Sequence, residues 1–333
     1  MFDDLDPKEF EETAAAVVDA CASASDAKAR GALLGEAGLI GVTAPEDAGG
    51  LGLPLDFAVP VLSAAGAGLL GFPLIEAVLL AKALAPVDAD LAGRIASGET
   101  LATVAWQGRA EDGLVAAAPM GQEADHVLIL RADGSAVLAQ TGNAVTARAV
   151  PALDVDAPEA AFDISGDLTG PVLDAATVAT LQREAQVLRT AFVAGSSDRC
   201  LTLAADYAQD RSQFGKILAA NQVIRHRLSR DKLAVSTMRN GLKRALKADV
   251  EDADMAIEAT WLGTARAGIS VAESAIQVFG GMGFTWEVPL HRHLRQMRAQ
   301  SAYGAVAQAT EGLGDRLIAA RTNEWYGEIE HVV

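Results

Sequence analysis

The sequence predicts a mainly α-helical protein with a small β domain, and three observations carry that expectation. The 333-residue chain is half hydrophobic, rich in alanine and poor in aromatics, which suits closely packed helices better than a β-sandwich. Long stretches at both ends carry apolar residues at steps of three and four, the helical period. Between them the runs shorten and lose that period, as strands do. A chain this long holds two or three packed domains. The changes in texture place them at 1–99 (N-terminal, helical), 100–172 (middle, β) and 173–333 (C-terminal, helical).

Residues 7 to 98 read as helices interrupted at APEDAGGLGLPLD (44–56), a loop because it stacks turn formers. The run FAVPVLSAAGAGLLGFPLIEAVLLAKALA is the longest apolar stretch, yet Pro60, Pro73, several glycines and Glu76 break it. It falls short of a membrane span of about 20 residues and reads as buried helix. Short β-like runs follow: LATVAW, GLVAAAP, DHVLILRAD, SAVLAQT and AFDIS. Asp133-Gly134, between two of these runs, signals a hairpin of the type I′ kind, because both residues tolerate positive φ. After Pro171 the helical period returns. It runs through Val178, Leu181, Ala185, Leu188, Phe192 and Gly195, then Ile224, Leu228, Val235, Met238, Leu242 and Ala245, then Ile257, Trp261, Thr264, Gly268, Val271, Ala275 and Val278. Amphipathic helices of this length pack as an antiparallel bundle.

A formal charge of −17 argues against nucleic acid, whose binding relies on Lys and Arg against phosphates. The charge is uneven, for Arg211 to Lys247 holds ten basic residues and a single acid, Asp231. Such a face is either solvated helix surface or a site for a small polyanion such as a dinucleotide or coenzyme A. Cys21 and Cys200 do not suggest a disulfide framework, and MFDDLDPKEF is acidic with no apolar core, unlike a signal peptide. A reducing, cytoplasmic location is the expectation.

QVFGGMGFTW (277–286) places three glycines in four positions, but it fits neither the Rossmann nor the P-loop pattern. Gly280 and Gly281 alone read as a helix stop. Arg211 alone reads as a surface ion pair, and Phe214 alone as core. His291 and His293 lie two apart on an expected helix, which is wrong for a shared metal. With Arg292, Arg295 and Arg298 they read as a basic solvated or interface stripe. His126 and His226 stand alone.

Taken together, DRSQFGKILAANQ (210–222), QVFGGMGFTWEVPLHRHLRQMR (277–298) and LLGEAGLIGVTAPEDAGGLGLPLD (33–56) resemble the acyl-CoA dehydrogenase family over nearly the whole chain. The resemblance implies an N-terminal helical domain, a middle β-barrel-like domain and a C-terminal four-helix bundle. It also implies FAD and α,β-dehydrogenation of an acyl-CoA thioester. In that family R-x-x-F-G and Q-x-x-G-G receive the ADP half of an FAD whose flavin ring lies in the neighbouring subunit. Carried over, Arg211 would bind pyrophosphate through charge-assisted bonds, Phe214 would face adenine, and Ser212, Gln213, Asn221 and Gln222 would bond ribose or phosphate. Gln277, Gly280 and Gly281 would bring bare backbone N–H groups to the cofactor.

The chemistry of the family needs more, and here the sequence departs from its pattern. A carboxylate must take the α-proton, and the position that usually supplies it is Gly304, beside Tyr303. A minority of the family places the base on an earlier helix, which here is Ala185. Glu184 is its neighbour, turned by about 100° around a helix, and Glu311 lies two turns beyond Gly304. The Asp-x-x-Arg pair that contacts acyl-CoA is replaced by Arg183 and Gln186, and the flavin-cradling T-E-P-x-A-G-S-D and W-I-T/S segments are absent.

These departures resemble the short, motif-eroded β-type subunit of heterotetrameric (α2β2) bacterial steroid side-chain acyl-CoA dehydrogenases. That resemblance implies a second acyl-CoA dehydrogenase-like subunit, an acyl-CoA substrate and an electron-transfer flavoprotein as partners. Two alternatives stand beside it: a self-sufficient homo-oligomeric dehydrogenase with Glu184 as base, and a non-enzymatic ligand-binding or structural homologue.

Overall fold

The computed structural model describes residues 6–7, 9–213, 215–247 and 253–321. The first five helices are α1 (Glu9–Cys21), α2 (Ala27–Glu36), α3 (Ala58–Ala67), α4 (Leu74–Leu84) and α5 (Ala89–Ala96). The loop expected at 44–56 holds only two short 3₁₀ turns. Three helices begin on an aspartate whose carboxylate accepts a backbone N–H three residues on. They are α2 on Asp26 (2.8 Å), α5 on Asp88 (3.0 Å) and the later helix α6 (Ala175–Asp210) on Asp174 (2.8 Å). Each such cap is worth about 1 kcal/mol.

Seven strands follow: β1 (Ala102–Val104), β2 (Leu114–Pro119), β3 (His126–Leu130), β4 (Ala136–Gln140), β5 (Val145–Ala149), β6 (Glu159–Ile164) and β7 (Val172–Leu173). They form two sheets, in the orders β1-β3-β4-β7 and β2-β6-β5. Val127 and Ile129 of β3 and Val137 and Ala139 of β4 pack against the second sheet. The alternate residues Leu128, Leu130, Ala136 and Leu138 join the core of the N-terminal helices. Burial on both faces explains why these strands read as continuous apolar runs.

The β3–β4 turn differs from the type I′ expectation. Gly134 alone takes positive φ, +84°, and its N–H donates to the Arg131 carbonyl (3.1 Å). The Asp133 carboxylate accepts from the backbone N–H (2.9 Å) and hydroxyl (2.6 Å) of Ser135, which holds Asp133 in an ordinary conformation and lengthens the loop.

The second half is α6 (Ala175–Asp210), a two-residue strand pair β8 (Ser212–Gln213) and β9 (Lys216–Ile217), α7 (Gln222–Ala245), α8 (Ala253–Phe279), α9 (Leu290–Tyr303) and α10 (Val306–Arg321). The predicted periodic residues of α6 and α8 are all buried; in α7, Ile224 and Leu228 near its start are half-buried. The α6 and α8 helices run parallel, with Arg183 paired to Asp254 at one end (3.1 Å) and Tyr207 stacked on Phe279 at the other. Helix α6 is also the spine that joins the halves. A Cβ on Gly195 would lie 2.0 Å from the Ser63 carbonyl oxygen of α3, and one on Gly66 would lie 2.0 Å from that of Phe192. Glycine at both positions lets the two backbones touch. No described helix is long and apolar enough to cross a membrane, and both cysteines are free and buried.

Candidate functional site

The two expected cofactor segments meet at one end of the bundle. The rings of Tyr207, in the last turn of α6, and Phe279, the last residue of α8, stack with centroids 4.1 Å apart and planes 15° from parallel. Arg211 caps α6 in extended backbone, and Gly280 opens the turn after α8. The stack thereby brings the Arg211 segment and the glycine segment side by side, although they are some seventy residues apart in sequence.

Around this junction the side chains of Arg211, Ser212, Gln213 and Gln277 are exposed and make no hydrogen bond with any described residue. Asn221 donates to the Leu218 carbonyl (3.1 Å), and the Gln222 amide meets the His226 ring nitrogen at 3.3 Å. Phe214 lies outside the described residues. Gly280 has a φ of +64°, which favours glycine. Gly281 has ordinary φ, and a Cβ there would meet nothing within 4 Å. Its bare backbone therefore answers no need of packing within the chain. A backbone left open by Gly280 and Gly281, at the same end of the bundle as a guanidinium that pairs with no described residue, fits the pyrophosphate of a dinucleotide.

Gly304, the position at which the resemblance leads one to expect a base, is built differently. Gly304 ends α9, and a Cβ on it would lie 2.8 Å from both Cζ2 and Nε1 of Trp261. The Trp261 side chain is fully buried, and its Nε1 has no partner. The indole from α8 fills the space a glutamate at 304 would need. Nearby, with Tyr303 on its wall, lies a small chamber of about 20 Å³ between α4, α6, α9 and the loop before β6. Glu76, Asp154, Gln296, Gln300 and Tyr303 line it among apolar side chains that include Leu70, Phe72, Leu74 and Phe192. Glu76 accepts from Trp106 Nε1 at 2.8 Å, and the Arg189 guanidinium sits 4.0 Å over the Trp106 ring. Burial raises the Glu76 and Asp154 carboxyls, the latter to about 6, and lowers Arg189 to about 10. The chamber is far below the 300 Å³ or so of an ordinary ligand site.

Glu184 is buried and receives a 2.5 Å bond from Lys82 of α4; it does not line the chamber. Ala185 is buried, Gln186 half-buried, and Glu311 exposed.

The histidine expectation is overturned. His291 and His293 are 7% and 1% exposed, so they form no solvated stripe. The His293 Nδ1 lies 2.8 Å from the Ser196 hydroxyl, and burial lowers its pKa to about 3, which keeps the ring neutral. Packing of α9 under α6 takes in the side that composition assigned to solvent.

Sequence reasoning missed Arg189, Trp106 and Asp154, and it read Trp261 as plain core. Only Glu76 gave a signal, a lone carboxylate inside an apolar run.

Residues 176–306 match the family pattern described as acyl-CoA dehydrogenase, C-terminal domain. The acyl-CoA dehydrogenase FadE27 of Mycobacterium tuberculosis is 28% identical over 324 residues, covering 85% of this chain and 86% of that protein. The acyl-CoA dehydrogenase IpdE2 of the same organism is 28% identical over 269 residues, covering 78% of this chain and 77% of that one. Among solved structures, the ChsE4-ChsE5 complex from Mycobacterium tuberculosis aligns with a TM-score of 0.84 at 25% identity, over 95% of this chain and 97% of its own. The Tcur3481-Tcur3483 steroid ACAD shares the fold, with a TM-score of 0.81 at 21% identity over 94% and 98%. The order of helices, two sheets and helices is the fold these structures share, and over residues 176–306 the chain belongs to the acyl-CoA dehydrogenase family through its C-terminal domain.

Proposed function

We propose that this chain is the non-catalytic subunit of a heteromeric, FAD-dependent acyl-CoA dehydrogenase, supplying the cradle for the ADP half of the cofactor. The Trp261 indole against Gly304 carries this reading, because it occupies the place of the base. Lys82 bonded to Glu184 counts against that residue as a substitute base.

On this reading Arg211 pairs with the pyrophosphate, and Ser212, Gln213 and Gln277 offer polar contacts around it. Gly280 and Gly281 admit the cofactor close to the backbone. Asn221 and Gln222 shape the start of α7, each already engaged within the chain. When bound, FAD supplies the hydride acceptor for oxidation of the Cα–Cβ bond. The base and flavin pocket belong to a second, acyl-CoA dehydrogenase-like subunit, in an α2β2 assembly. Two similar solved structures are named as two-protein assemblies, and one of them as a steroid ACAD, which supports a bulky steroid side-chain thioester as substrate. An electron-transfer flavoprotein would reoxidise the flavin.

Co-expression tests this directly. The chain is purified alone and with an acyl-CoA dehydrogenase-like chain encoded beside it, and flavin absorbance and acyl-CoA-dependent dye reduction are recorded. The expected result is a yellow, active complex and a colourless, inactive single chain. Stoichiometric FAD and turnover in the single chain would falsify the proposal.

A further inference from the structure

The chamber beside Tyr303 has a lining that its own bonds do not satisfy. Gln296 is 1% exposed, and neither its Nε2 nor its Oε1 has a partner; Gln300, 7% exposed, leaves its Oε1 without one. Each orphaned buried amide atom costs on the order of 1–3 kcal/mol, so a native interior rarely leaves three together. Across the chamber stands Asp154, whose carboxylate accepts the backbone N–H of Asp156 at 2.9 Å and of Ala157 at 3.4 Å. Gln296 is near enough to favour the charged form of Asp154, yet it makes no direct hydrogen bond of normal geometry. One water between such groups supplies the bonds that their direct geometry does not.

The volume agrees. About 20 Å³ exceeds the roughly 10–15 Å³ that one water requires and leaves too little for anything larger. The polar part of the lining offers donors and acceptors together, the Gln296 and Gln300 amides and the Asp154 carboxylate, which suits water better than an anion or a cation.

We propose that this chamber is a hydration site: one ordered, long-lived water bridges the Gln296 amide and the Asp154 carboxylate and pins the loop before β6 to α9. The same loop is tied to α9 a second time, where Asp156 takes a bidentate pair from Arg292 at 2.5 and 2.9 Å. Water and ion pair together strap this loop over the space beside the base position. The inference concerns this chain's own residues and holds whether or not the chain cradles FAD.

A crystal structure of the full chain, at a resolution where other internal waters are seen, tests it. Expected is a single density peak within hydrogen-bond distance of Gln296 and Asp154. An empty chamber, or amides that turn to pair directly with each other, overturns the proposal. In solution, oxygen-17 relaxation dispersion should lose the signal of one long-lived water in Gln296→Leu. An unchanged signal in a folded variant counts against the site, and the wild-type crystal decides if the variant does not fold.

Discussion

Gly304 and Trp261 exclude each other's growth, since a Cβ on the glycine would stand 2.8 Å from two atoms of the indole. A glutamate is the expectation at 304 by resemblance, and in the tertiary structure an aromatic side chain from another helix stands against that position. Restoring the glutamate alone should therefore fail. Gly304→Glu is expected to destabilise the chain by about 1–3 kcal/mol through overpacking, without any acyl-CoA-dependent dye reduction. Urea unfolding and the dye assay check both parts.

Arg211 offers the opposite case. Its guanidinium is exposed and without a partner among the described residues, so Arg211→Ala should leave folding within about 0.5 kcal/mol of wild type. In the co-purified complex the same variant should bleach the flavin, read as the loss of absorbance on gel filtration.

The Lys82–Glu184 bond predicts a structural role for the glutamate. Lys82→Met leaves the carboxylate buried without its cation. It should cost about 1–2 kcal/mol, at the low end because the lysine side chain is 37% exposed. Glu184→Gln should leave the turnover of the complex unchanged, and a large fall in that rate would revive Glu184 as the base.

Two buried groups set opposing pH dependences. His293 has its pKa lowered from 6.5 to about 3, so the unfolded chain binds a proton before the folded one does, and stability falls as pH drops from 6.5 towards 3. Asp154 is raised from 3.8 to about 6. Its buried charge is therefore a cost above pH 6 that is relieved as pH falls towards 3.8. Chemical denaturation from pH 7.5 to 4.5 should show His293→Gln losing less stability on acidification than wild type. Asp154→Asn should lose more, because the relief is gone.

The sequence determined the helices and most of the strand runs, because hydrophobic period and local glycine and capping chemistry act over a few residues. Val178 to Gly195 and Ile257 to Val278 were legible in this way, and so was the absence of a carboxylate at 304. The short strand β5, with its exposed and alternating residues, carried no such signal. Which side chains meet across the fold was decided only by tertiary structure. Tyr207 stacks on Phe279 from a different helix, Trp261 reaches Gly304 across 43 positions, and Arg189 finds Trp106 and Glu76 from three separate elements. His291 and His293 looked like a solvated stripe because charge pattern reports composition; the docking of α9 against its neighbours buried them. Local chemistry writes the elements, but a closed cleft is a property of side chains brought together by packing, and no spacing along one chain encodes it.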